Sequence, residues 1–179
     1  MRNSLVILFA GLVLMTFEGC LVGHSISYEI VADKSGEGVA RVTYTNIRSD
    51  ATNAQQLEED KNHLFNYMLK SGQFLSDMNK EGKEIVSRNL MVSDGMLNGQ
   101  GVYRFDKISS IENLTRDDGF YFITLALDDS VLTTNGEIIK SGSYKRILWV
   151  DNTDTLKFRI LTEPTDNAPL KEMAQYYAK

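Results

Sequence analysis

Polar and apolar residues alternate along much of this chain with the period of a half-buried strand. Ile26, Tyr28 and Ile30 alternate with Ser27 and Glu29, and Ala40, Val42 and Tyr44 alternate with Arg41, Thr43 and Thr45. Between the two runs, Asp33-Lys34-Ser35-Gly36-Glu37-Gly38 is rich in turn formers, so the pair predicts an antiparallel hairpin. From Ala54 the period lengthens. Leu57, Leu64, Phe65 and Met68 fall on one side of a helix and Glu58, Glu59, Asn62 and Asn66 mostly elsewhere, which predicts an amphipathic helix up to about Leu69. Lys61 interrupts the apolar stripe: either its aliphatic stem snorkels along the surface or the helix is phased slightly differently. Ser71-Gly72 breaks the pattern, and Phe74, Leu75 and Met78 make a second short helical turn before Gly82.

Strand signals then resume. Lys83 to Ser93 and Gly101 to Phe105 flank Asp94-Gly95-Met96-Leu97-Asn98-Gly99, predicting a second hairpin with a longer loop. Phe120 to Leu127 is apolar on both faces, as a central strand covered on both sides would be. Asn135-Gly136 marks a turn between Val131-Leu132 and Ile138-Ile139. Tyr144 to Val150 and Thr155 to Leu161 read as a last pair joined through Asp151-Asn152-Thr153-Asp154. Beyond Pro164 and Pro169, Leu170, Met173 and Tyr177 stand at helical spacing in a short C-terminal tail, residues 164–179. Strands, one helical segment, then more strands predict an α+β fold: an antiparallel β-sheet of about six to eight strands with one main amphipathic helix packed on one face.

The first twenty residues have a different character. Arg2 precedes an apolar run from Leu5 to Phe17, the length of a secretory signal core and shorter than the roughly 20 residues that cross a hydrocarbon layer. The run stops at Gly19-Cys20, and Cys20 is the only cysteine in the chain, so the fold must hold without disulfides. The tetrapeptide Phe17-Glu18-Gly19-Cys20 resembles a bacterial lipobox, with Phe17 where an aliphatic residue is usual and Glu18 where a small one is. The resemblance implies a signal peptide over 1–19 and acylation of Cys20, palmitate being a typical chain, with Cys20 as the mature N-terminus. Residues 20–179 are then one ectodomain, 20–24 a tether, and about 160 residues suffice for a single core. Leu21 and Val22 follow the cysteine in place of the aspartate that commonly retains a lipoprotein at an inner membrane, so the outer membrane is expected where the envelope has one.

Charge narrows the partners. The net charge is −5, and Arg2 and Glu18 of the leader cancel, so the mature domain carries the same excess. That gives no electrostatic footprint for nucleic acid and weak repulsion from anionic lipid, so membrane contact is expected through acyl chains on Cys20. The remaining partners expected are an envelope protein or a hydrophobic ligand.

Catalytic chemistry is sparse. His63 is expected on the polar, solvated side of the helix, and His24 in the tether, too loosely held for a catalytic base. No Gly-x-Ser-x-Gly elbow is present. Gly36-Glu37-Gly38 and Gly99-Gln100-Gly101 begin like phosphate loops, but Arg41 and Arg104 replace the third glycine, so both read as hairpin turns. Asp151, Thr153 and Thr155 occupy early calcium-loop positions, yet the loop glycine is missing and Thr162 stands in the final one; Asp33, Ser35 and Glu37 fail likewise, with Tyr44. Asp117-Asp118 and Asp128-Asp129 read as solvated turns. No catalytic residue, metal ligand or cofactor is expected.

The strand directly after Cys20, the turn Asp33 to Gly38, and Thr134-Asn135-Gly136 followed by Trp149 on a late strand resemble the ectodomains of small bacterial lipoproteins of the LppM type. That resemblance implies an envelope-facing, non-catalytic domain. The expected function is a membrane-anchored lipoprotein acting as a binding or structural module. A carrier of a hydrophobic ligand, with a pocket lined by Phe65, Met68, Tyr103 and Phe122, is the first alternative, and an envelope hydrolase with convergent carboxylates the second.

Overall fold

The computed structural model describes residues 21–111, 114–162 and 169–177. The expected leader, the expected lipidation site Cys20, residues 112–113 and 163, and residues 164–168 and 178–179 of the expected tail lie outside the described residues. In chain order the elements are β1 (Leu21–Val22), β2 (Ser25–Ala32), β3 (Gly38–Thr45) and β4 (Arg48–Ser49). Helix α1 (Ala54–Asn62) follows and continues into a π-helical turn (His63–Met68), then α2 (Gly72–Lys80). Next come β5 (Lys83–Ser93), β6 (Met96–Phe105), a 3-10 turn (Ile108–Ser110), β7 (Leu114–Asp117) and β8 (Phe120–Leu125). The chain ends with β9 (Val131–Thr134), β10 (Glu137–Lys140), β11 (Lys145–Val150), β12 (Leu156–Leu161), β13 (Lys171–Glu172) and α3 (Ala174–Tyr177).

The expected α+β arrangement does not form. With 49% strand against 22% helix, the protein is mostly antiparallel β in three sheets, and no main helix packs on a sheet face. The sheets run β5-β6-β3-β2-β12-β9, β10-β11-β8-β7 and β1-β4-β13. The physical reason is that the late strands make an apolar face of their own. Tyr121, Ile123 and Leu125 of β8 with Ile147 and Trp149 of β11 meet Ile26, Tyr28 and Ile30 of β2, Ala40 and Val42 of β3, and Leu156 and Phe158 of β12 in one buried cluster. A sheet therefore covers the place expected for the helix.

The helical residues serve a second, smaller cluster. Leu64 is buried there with Ile47, Leu97 and Met173, and Leu57, Phe65 and Met68 pack around them. Asp60, not Lys61, lies on the buried side of α1, while Lys61 sits half-buried with its ammonium 5.0 Å above the Tyr176 ring. Ser71 ends the first helical run by capping the second, its Oγ accepting from Gln73 N at 2.9 Å, so the expected short turn is a nine-residue helix. Arg88 of β5 donates to the carbonyls of Met68 at 2.7 Å and Ser71 at 3.0 Å, fastening the end of the run to the sheet.

The β2–β3 hairpin forms as expected, with Ile26 opposite Tyr44 and Ile30 opposite Ala40. The second hairpin is tighter than expected. Asp94 and Gly95 alone make its turn, with φ of 53° and 77°, the left-handed pair that a two-residue hairpin turn requires. Gly99-Gln100-Gly101 is thus strand and no turn, and a Cβ on Gly99 would stand 3.0 Å from Ile47 Cδ1. β11 and β12, expected to pair, belong to different sheets. Phe120 to Leu125 buries one face only; Phe122 lies on the other, under the Arg146 guanidinium at 4.5 Å.

The described parts of the expected tether and tail are also tied down. Leu21 pairs with Ser49 and Val22 with Arg48, and Met173 is fully buried.

Between β9 and β10 the chain leaves the six-stranded sheet and enters the four-stranded one. Asn135 holds this crossing: its Oδ1 accepts from Trp149 Nε1 at 2.7 Å and Lys157 N at 2.8 Å, and its Nδ2 donates to Thr155 O at 2.8 Å. Gly136 passes so close to Trp149 that a Cβ would stand 2.7 Å from the indole. Asn135→Ala is expected to cost about 2 kcal/mol in urea melts by leaving the indole N–H and its neighbours unpaired, while Asn152→Ala in the turn between β11 and β12 shifts stability by less than about 0.5 kcal/mol.

Candidate functional site

At the Asp33–Gly38 end of the six-stranded sheet lies an open groove of about 360 Å³. Val31 and Val39, paired across β2 and β3 and both exposed, give it apolar surface. Glu84 and Arg104, paired across β5 and β6, stand 3.7 Å apart, and Asp33, Glu37 and Asp106 complete the lining. Asp33 is committed to the turn: its Oδ1 accepts from Ser35 Oγ at 2.5 Å, Ser35 N at 2.8 Å, Gly36 N at 3.1 Å and Glu37 N at 3.2 Å. The Ser35 hydroxyl above all, with these amides, holds its carboxyl below the ordinary range, so it stays ionised. The turn is braced from the other sheet. Arg116 of β7 donates to Lys34 O at 2.7 Å and grips Asp151 through both carboxylate oxygens at 2.8 and 2.6 Å.

The second group of perturbed residues surrounds α1. Asp60 is buried, and Ser49 Oγ, itself fully buried, donates to its Oδ2 at 2.5 Å while accepting from Ala51 N at 3.1 Å. Burial raises the Asp60 pKa above the ordinary carboxylate range, partly offset by the Ser49 hydroxyl. His63, one turn on, is half-buried with its ring 5.1 Å from that of Tyr67, and burial lowers its pKa against the pull of Asp60. The expectation of a solvated His63 is therefore corrected. This arrangement joins β4 to α1 and presents neither a nucleophile nor an open cleft, since Ser49 and Asp60 are both enclosed.

The residues weighed from sequence are scattered. Phe65 and Met68 belong to the second cluster, Tyr103 to the main core, and Phe122 to the outer face of the four-stranded sheet, so they line no common pocket. Asp151 is occupied by Arg116. Asp129 accepts from Ala126 N at 2.8 Å and its carbonyl from Lys145 Nζ. Asp118 and Gly119, with φ of 43° and 80°, form the β7–β8 turn. Backbone bonds hold His24, from its N to Thr45 O at 2.8 Å and to its O from Thr162 N at 3.1 Å. Among the described residues no group of three or more His, Cys, Asp or Glu is placed to hold a metal ion. Asp60 escaped the sequence reading, although its spacing between Leu57 and Leu64 is that of a stripe position.

No family model, no characterised protein and no solved structure matches this chain.

Two outcomes follow for the buried pair. Ser49→Ala leaves the Asp60 carboxyl without its donor and is expected to cost about 1 to 3 kcal/mol. With its pKa raised above the ordinary 3.8, Asp60 contributes stability that is complete below that value and fades as pH rises through the folded-state value. Asp60→Asn should therefore flatten the fall in urea midpoint as pH rises above about 4.

Proposed function

We propose that this chain is a bacterial envelope lipoprotein, acylated on Cys20, whose mature domain 20–179 is a non-catalytic binding or structural module. The observation that carries the reading is the order of residues at the start of the sequence: a basic Arg2, an apolar core of signal length from Leu5 to Phe17, and Cys20 in the lipobox position. No described helix is long and apolar enough to cross a membrane. The outer membrane is the proposed location where the envelope has one. The groove between Val31, Val39 and Glu84 is the concave surface proposed to meet a partner.

Expression of the full chain in a bacterial host tests the reading. The mature protein is expected to begin at Cys20, to carry diacylglycerol and to partition into detergent, and Cys20→Ser should block maturation. A water-soluble mature form of Cys20→Ser, cut at the same bond, would refute the anchor.

A further inference from the structure

The lipid-anchor reading of Cys20 leaves open how the domain sits relative to the membrane, and the fold constrains this closely. Leu21, the residue after Cys20, is already part of the folded body. Leu21 and Val22 pair with Ser49 and Arg48, Gly23 O accepts from Thr162 Oγ1 at 2.8 Å, and His24 is bonded through both its backbone groups. Consecutive Cα atoms stand about 3.8 Å apart, so acyl chains on Cys20 would enter a bilayer within one side-chain and glyceryl-linker length of β1.

The same end of the molecule carries a projecting hairpin. Ser25 of β2 lies opposite Thr45 of β3, and the pairing of β3 with β6 ends at Tyr44 opposite Gly99. The β5–β6 hairpin runs on past that level to the turn at Asp94-Gly95, an overhang of about 10 Å at strand rise. Met91 and Val92, on this overhang, are 49% and 44% exposed. Polar residues make the turn itself, and an apolar pair just behind a polar tip suits the headgroup layer better than the hydrocarbon core. The Asp33–Gly38 turn and its groove lie at the opposite end of β2, about 25 Å away along the strand.

We propose that the acylated domain lies directly on the bilayer, with Met91 and Val92 in the headgroup layer and the groove facing away from the membrane. The lipid anchor delivers this end to the surface, and the exposed pair supplies the contact. The partner surface is lipid.

Cys20 is the only cysteine, and acylation consumes its thiol, so an introduced cysteine is a unique labelling site. Mature protein bearing Met91→Cys or Ser35→Cys is labelled with an environment-sensitive fluorophore and reconstituted in phosphatidylethanolamine–phosphatidylglycerol vesicles carrying a headgroup quencher. Quenching is expected to be several-fold stronger at position 91 than at position 35, and Val92→Cys provides the same reading should Met91→Cys fail to fold. Equal, weak quenching of an acylated protein at both positions would overturn the orientation and leave the anchor standing. A mature protein that mass spectrometry shows to be without acyl chains would overturn the anchor and the orientation together.

Discussion

Trp149 is where the two large sheets are joined. Its ring centre lies 5.8 Å from that of Phe158, which in turn stacks on Tyr28 at 4.8 Å, so one aromatic column runs from β11 through β12 to β2. The indole N–H is satisfied by Asn135 at the point where the chain crosses between the sheets. In a chain whose one cysteine is Cys20, no disulfide shares this task, and apolar burial between two sheet faces has to bear it. Arg116 and Asp151 do at the Asp33–Gly38 end what Asn135 does at the crossing: they hold a turn of one sheet against the other.

The six-stranded sheet is longer than the four-stranded sheet that covers it, and the remaining apolar face is closed by the second cluster. Tyr44 packs against both clusters and makes them continuous. The second cluster draws on distant parts of the chain: Leu64 from the helical run, Leu97 from the overhanging hairpin and Met173 from near the C-terminus. Its polar counterpart, Ser49 with Asp60, ties the short strand β4 to α1. The end of the molecule that holds β1 and β4 is therefore the one assembled from the most dispersed segments.

Local features were legible in the sequence. Alternation over Ile26 to Thr45 predicted the first hairpin, the 3.6-residue period predicted the helical run, and Ser71-Gly72 marked its break. What could not be read was the partition of strands between sheets. The runs at β11 and β12 look like partners because a turn joins them, yet each finds its neighbours elsewhere, β8 and β2 among them. Alternation says which face is apolar and not which strand lies alongside, so a second sheet and a helix are equivalent covers at that level. Asp60 was missed for a related reason: a charged residue in an apolar stripe is read as an interruption until its buried donor, Ser49, is seen eleven residues away. The groove, too, joins residues from two hairpins that are distant in sequence.

The crossing at Asn135-Gly136 also governs how the sheets end. β9 closes one side of the six-stranded sheet and β10 one side of the four-stranded sheet, each only four residues long, and the two are consecutive in the chain. The opposite edges are β7, another four-residue strand bearing Arg116 and Asp117, and β5, whose pairing is broken by a bulge at Val86. Short, charged or bulged borders offer little length for a foreign strand to add to. A β-rich domain with these borders gives crowded copies of itself no long unbroken edge on which to template fibrils.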